Sequence, residues 1–269
     1  MKGIVIKWIL LVLLALLLAI VTQIGVISFA MSLLISRITK IRNFSINLSV
    51  NVVLYGLCCF LAAPILAPLF GRVPVSTNEN LKFANSYISV GLNRNYVTPE
   101  LDQLLTRVSR EVAEIDPSAA VLVLDANFPF IDSYPLAPHL SHNDGRKVDL
   151  GYMYVNSDGN LISKAAATSG YGYFEEPLEG ERDTNEFCKE EGYFQYDYPK
   201  YLTLGVNDTD FIFSNEWNKL LLEVILAESE VKKVFVEQHI VDRLGLIDNR
   251  LRFQGCGSVR HDDHIHFQI

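Results

Sequence analysis

KVDLGYMYVNSDGNLI, residues 147–162, decides the fold class. Residues 147–155 read as a strand, Asn156-Ser157-Asp158-Gly159 as a turn, and Leu161-Ile162 pairs back across it. A strand returned by a tight turn pairs antiparallel. Upstream, Thr98-Pro99-Glu100 supplies a helix cap, a proline at the first helical position and an early acid. Leu101, Leu104, Leu105, Val108 and Val112 then follow at helical spacing, and the helix ends near Asp116-Pro117. Residues 120–124 read as a buried strand. Downstream, 215–228 reads as an amphipathic helix, 233–237 as a strand, 239–244 as a short helix and 265–269 as a terminal strand. Helices and short strands mixed without regular βαβ alternation predict an α+β domain, with a largely antiparallel sheet and flanking helices. The aromatic stretch 165–210 has little apolar periodicity. It reads as a long loop, either a binding wall or a segment stapled onto its own core.

The rest of the chain is of a different kind. No Asp or Glu precedes Glu79, and the first 78 residues carry six basic side chains, Lys2, Lys7, Arg37, Lys40, Arg42 and Arg72, among apolar runs. All 31 acidic residues fall in 79–269 against 17 basic ones, so this segment of 191 residues has a net charge of −14. Such a surface repels phosphate backbones and excludes nucleic acid as the main partner. Residues 8–35 carry no charge and exceed the ~20 residues that cross a bilayer as one helix. Residues 52–70 form a second apolar stretch, which Pro64 and Pro68 kink or end. The expected organisation is a membrane anchor over 1–71 with spans at about 8–35 and 52–70, a linker over 72–97, and a folded domain over 98–269. Arg37, Lys40 and Arg42 favour a cytoplasmic connection and an external domain. Lys2 and Lys7 oppose that for two spans, and agree with it for one. Cys58 and Cys59 read as small residues of a span, and Cys188 with Cys256 is compatible with a disulfide in an oxidising compartment.

Five of the six histidines sit in two clusters, His139 and His142 in PHLSHNDGRKVD, and His261, His264 and His266 in RHDDHIH. The turn Asn143-Asp144-Gly145 can fold His142 back over Asp149. His264 and His266, two apart in a strand, share a face about 6.5–7 Å apart, so one can bind metal while the other faces the same cavity. This gives His142, Asp149 and His266 as an open metal set with His264 beside it. Strand parity turns Asp263 away from both histidines, toward a supporting role or a pairing with Arg260, while Asp262 either orients a histidine or is solvated. Arg146 and Arg260 bind a substrate carboxylate or form ion pairs. His239 reads as structural or exposed, and Glu237 as a solvated strand end.

Ser141-His142-x-x-Gly145-x-x-x-Asp149, followed late in the chain by His264-x-His266, resembles the signature of the LAS metallopeptidases. The penicillin-insensitive murein endopeptidase pattern is met by His139, Ser141, His142, Gly145, Asp149, His261, His264 and His266. The resemblance implies Zn²⁺ on His142, Asp149 and His266, His264 as the catalytic histidine, and His139 and His261 lining the cleft. Asp263 is a rival base, because related dipeptidases place an acid three residues before the last ligand. The implied protein is a membrane-anchored zinc metallopeptidase that cuts peptidoglycan peptide cross-links on the outer side of the cytoplasmic membrane. The alternatives are a non-catalytic zinc-binding interaction module and a peptidase for small D-amino-acid peptides.

Overall fold

The computed structural model describes residues 2–41, 43–134, 141–207 and 210–269. It is a mixed helical and sheet protein with antiparallel pairing at its centre. His139 and Arg42 lie outside the described residues.

The apolar run expected as one helix over 8–35 is two: α1 (Lys2–Val21) and α2 (Gly25–Thr39). They fold back on each other at Thr22-Gln23-Ile24. A Cβ on Gly25 would sit 3.3 Å from Leu18 Cβ, although residues seven apart in an unbroken helix are separated by ~10 Å. Glycine eases this approach, since a Cβ there would require Thr22 and Leu18 to shift. Gln23 explains the break, since its buried amide oxygen accepts from the backbone N–H of Phe130 (2.9 Å) and Ile131 (3.3 Å). The turn is therefore docked on the folded domain.

α3 (Phe44–Leu57), capped by Asn43, starts earlier than the 52–70 stretch suggested and continues without a break to Phe70. Pro64 lacks an N–H and crowds the preceding turn. The helix absorbs it with a π-turn over Cys58–Ala62, closed by Ala63 N–H to Cys58 O, and a 3₁₀ turn follows over Ala67–Phe70. Phe44–Phe70 is the one described helix long and apolar enough to cross a membrane; Trp8–Val21 and Gly25–Thr39 are shorter apolar helices. α2 and α3 run antiparallel and are joined by polar pairs, Ser36 with Asn47 and Ser32 with Asn51 (3.2 Å). Farther along, Cys59 meets Val90 and Asn93, and Ala63 and Ala67 pack on Tyr96, so the last turns of this helix lie on the domain.

Residues 72–97 are part of the domain and not a linker. Leu81–Phe83 is strand β1, and α4 (Ser86–Gly91) follows. Next come α5 (Pro99–Ile115), β2 (Val121–Asp125), β3 (Lys147–Gly151), α6 (Thr184–Glu190) and α7 (Asn215–Ala227). β4 (Lys233–Phe235), α8 (Gln238–Leu244), β5 (Leu251–Arg252) and β6 (His264–Gln268) complete the chain. Among the described residues the main sheet has the order β5-β4-β6-β3-β2-β1. Its central pairings, β4–β6, β6–β3 and β3–β2, are antiparallel. Both edge pairings are parallel, since α5 crosses from β1 to β2 and α8 from β4 to β5. The expected strand over 147–155 splits in two: after β3 the chain enters a small sheet in which Tyr154–Val155 pairs antiparallel with Leu161–Ile162.

Strand alternation separates core from site. Val148, Leu150, Ile265 and Phe267 face a core shared with Leu101, Leu104 and Leu105 of α5 and with Leu221 and Leu222 of α7. Asp149, His264 and His266 take the opposite parity. The 165–210 excursion is not a bare loop. It carries α6 and a 3₁₀ segment over Phe194–Tyr201, and a Cys188–Cys256 disulfide ties it to the stretch leading into β6.

Candidate metal centre

Register delivers two of the three expected ligands. His266 and Asp149 are direct partners across β6 and β3, and the row continues to Asp125 on β2 and Phe235 on β4. Directly opposed residues hold their Cβ atoms ~4.5–5.5 Å apart on one face. The third ligand arrives from the turn before β3. Gly145 takes φ +77° there, and a Cβ on it would strike the Arg72 guanidinium at 2.3 Å. Its N–H donates to Asn127 Oδ1 (3.0 Å), fixing the turn against the end of β2.

The three side chains converge. His142 Nε2 lies 3.1 Å from Asp149 Oδ1 and 3.1 Å from His266 Nδ1, and the latter two atoms are 2.8 Å apart. All three residues are buried. His142 Nδ1–H donates to the Ala126 carbonyl oxygen at 2.9 Å, which directs the Nε2 lone pair inward. Burial pushes His266 down to about 4, against the pull of Asp149, so its ring is neutral at pH 7 and has a lone pair to give. One small divalent ion with bonds of ~2.0–2.2 Å satisfies all three side chains. The buried His142, Asp149 and His266 group can hold a metal ion.

A second layer fixes these atoms. Tyr171 OH donates to Asp149 Oδ2 at 2.7 Å, leaving Oδ1 for the centre. Burial, reinforced by the Asp149 charge, keeps the Tyr171 hydroxyl protonated well above the usual phenol range. Arg94 grips Asp125 through Nε (2.8 Å) and Nη2, neutralising the carboxylate next to Asp149 in the register row.

His264 lies beside the three, buried, with Nε2 3.8 Å from Asp149 Oδ2. Its Nδ1 is 2.5 Å from Asp263 Oδ1, and Asp263 Oδ2 accepts the Gly172 N–H at 2.6 Å. The parity reading of Asp263 needed a strand at that position; β6 begins only at His264, so Asp263 turns back onto its neighbour. Arg260 pairs with Asp262 instead, through Nε at 2.7 Å, and is buried with Phe174 stacked at 3.8 Å. Asp262 is therefore neither solvated nor a histidine partner. The His261 ring lies 4.8 Å from that of His264 and 6.0 Å from that of His266.

No family model matches the chain, and no curated protein does either. The chemistry is carried by the residues themselves. Tyr171, Arg94 and Asp125 were not singled out in the sequence; for Tyr171 the only signal was its place in an aromatic-rich excursion. His239 is buried and Glu237 is not solvated.

If Tyr171 orients Asp149, Tyr171→Phe lowers metal affinity by about 10–100-fold with an unchanged far-UV circular dichroism spectrum. Competition against a chelator of known affinity checks this, and an unaltered dissociation constant contradicts it.

Proposed function

We propose that this chain is a membrane-anchored zinc peptidase that cuts the peptide cross-links of peptidoglycan. The observation that carries the reading is the His142, Asp149 and His266 triangle with the Asp263–His264 pair on its rim. A metal held only for structure has no need of a buried, carboxylate-oriented histidine beside it. The resemblance of the two histidine motifs to those of LAS murein endopeptidases supplies the metal and the substrate class.

A zinc ion, when bound, lowers the pKa of a water toward ~7 and polarises the scissile carbonyl. His264 supplies the second charge. With Nδ1–H donated to Asp263, its Nε2 faces the cavity and, when protonated, donates to the carbonyl oxygen as negative charge develops there. Asp263 stabilises the imidazolium and holds the ring orientation, itself pinned by the Gly172 N–H. The His261 ring packs against that of His264, 4.8 Å away and tilted by 41°.

The anchor supports an external domain. Because α1 and α2 fold back at Thr22–Ile24, the start of α1 and the α2–α3 connection lie at the end of the helices away from the domain. In sequence those two places hold Lys2, Lys7, Arg37, Lys40 and Arg42. If the two shorter helices enter the membrane beside Phe44–Phe70, Lys2, Lys7, Arg37 and Lys40 share one side, which the positive-inside rule makes the cytoplasm, and the domain falls outside. The Cys188–Cys256 disulfide agrees with an oxidising compartment. In a Cys58→Ala/Cys59→Ala background, a membrane-impermeant maleimide added to spheroplasts labels Ile247→Cys directly and Ser45→Cys only after permeabilisation. The reverse pattern rejects this topology.

The activity is tested by incubating purified sacculi with the full-length protein in detergent, with and without chelator. The expected outcome is metal-dependent conversion of cross-linked muropeptides to uncross-linked ones. Consumption of soluble dipeptides alone moves the assignment to a small-peptide peptidase.

A further inference from the structure

Behind the Asp263–His264 wall lies a second group of polar atoms that the reaction above does not use. Glu237 Oε1 accepts from Tyr196 OH (2.5 Å) and from the His261 N–H (3.0 Å), while Oε2 is buried without a partner. His239 Nε2–H donates to the Glu175 carbonyl oxygen at 2.8 Å, and its Nδ1 is likewise buried and unpartnered. The same holds for Thr184 Oγ1 and Asn185 Oδ1 at the start of α6. Glu237 and His239 are each 2% exposed and Thr184 3%. All four atoms belong to residues lining one small cavity, which is too tight for a water molecule.

A carboxylate oxygen, an amide oxygen and an unprotonated imidazole nitrogen only accept, and a hydroxyl both accepts and donates. The single hydroxyl hydrogen of Thr184 cannot serve three acceptors, and what reconciles all four atoms is a cation. Arg260 also borders the cavity, with four of its five N–H groups directed at Asp262, Asp197 and Glu176. Three oxygens with one imidazole nitrogen form a donor set that suits a small divalent ion of the manganese, calcium or zinc kind.

We propose that Glu237, His239, Thr184 and Asn185 form a second divalent-cation site, distinct from the His142, Asp149 and His266 centre. Its role is positional. It clamps the start of α6 to the turn between β4 and α8. α6 is held by the disulfide to the stretch before β6, and Glu237 holds the backbone of His261, so the ion stiffens the cleft wall from behind.

The test uses the full-length protein in detergent and Mn²⁺ as the probe, read by equilibrium dialysis and electron paramagnetic resonance. A His142→Ala/His266→Ala chain, which lacks the first centre, is expected to retain about one Mn²⁺ per chain. Adding Glu237→Gln, of the same shape, weakens that binding by at least about tenfold. The wild type is expected to hold two divalent ions and His239→Ala one, a count that does not depend on the double variant folding. The two claims fail separately: loss of the first centre leaves this stoichiometry at one, and loss of the second leaves His142, Asp149 and His266 still loading. The proposal is overturned if the folded double variant takes up no Mn²⁺, Ca²⁺ or Zn²⁺ at about 1 mM, or if Glu237→Gln binds as tightly as its parent.

Discussion

Replacing His264 with alanine is expected to slow sacculus cleavage by about 10²–10³-fold while leaving bound zinc at the wild-type stoichiometry. His264 Nε2 lies 3.8 Å from an oxygen of Asp149, yet the three converging ligand atoms belong to other residues. Its removal therefore deletes the donor for the developing charge and spares the metal. Asp263→Asn should follow with a smaller loss, because it weakens the imidazolium without removing it. Single-turnover cleavage measured beside metal content separates the outcomes. Full cleavage with zinc retained in His264→Ala removes His264 from the chemistry, and a zinc-loaded wild type that cleaves nothing turns the protein into a zinc-binding module.

Asp149→Ala has the opposite signature, with zinc and activity disappearing together. Asp149 Oδ1 is the atom that both imidazole nitrogens approach, at 3.1 and 2.8 Å. Without it two imidazoles remain, and the carboxylate to which Tyr171 OH donates is gone. Chelation of the wild type mimics part of this change. An ion at 100 times its dissociation constant stabilises the native state by about 2.7 kcal/mol, so stripping it should lower the melting temperature by about 5–10 °C for a domain of this size. With the second cation site removed by Glu237→Gln, Asp149→Ala should melt near the chelated value and show no further fall when chelator is added. A melting point that still responds to chelator in that double variant places the metal elsewhere.

The site was more legible in the sequence than the architecture around it. His264 and His266 obey strand parity because residues 264–268 form a regular strand, and the Asn143-Asp144-Gly145 turn brings His142 over Asp149 as its composition suggests. The orientation of Asp263, though not its supporting contact, departs from the expectation for the converse reason, as parity was applied one residue beyond the strand. β1 is only Leu-Lys-Phe, too short for alternation to stand out among turn residues, so 72–97 looked like a linker. The fold-back at Thr22-Gln23 was marked by a single polar pair inside an apolar run, and its partners lie more than a hundred residues away. Ser36, Asn47 and Asn51 hid the start of α3, because polar side chains paired between helices lower local hydropathy without ending a helix. Tyr171 is fixed by a bond across 22 residues that no local pattern encodes.

X-ray absorption at the zinc edge of the full-length Glu237→Gln protein, in which the second cation site is weakened, tests the central claim most directly. The expected spectrum has two imidazole nitrogens, one carboxylate oxygen and one exchangeable solvent oxygen at ~2.0–2.1 Å, reduced in imidazole scattering in His142→Ala. A zinc-free protein after loading, or a shell filled by four protein ligands with no exchangeable oxygen, would contradict a hydrolytic centre built on His142, Asp149 and His266.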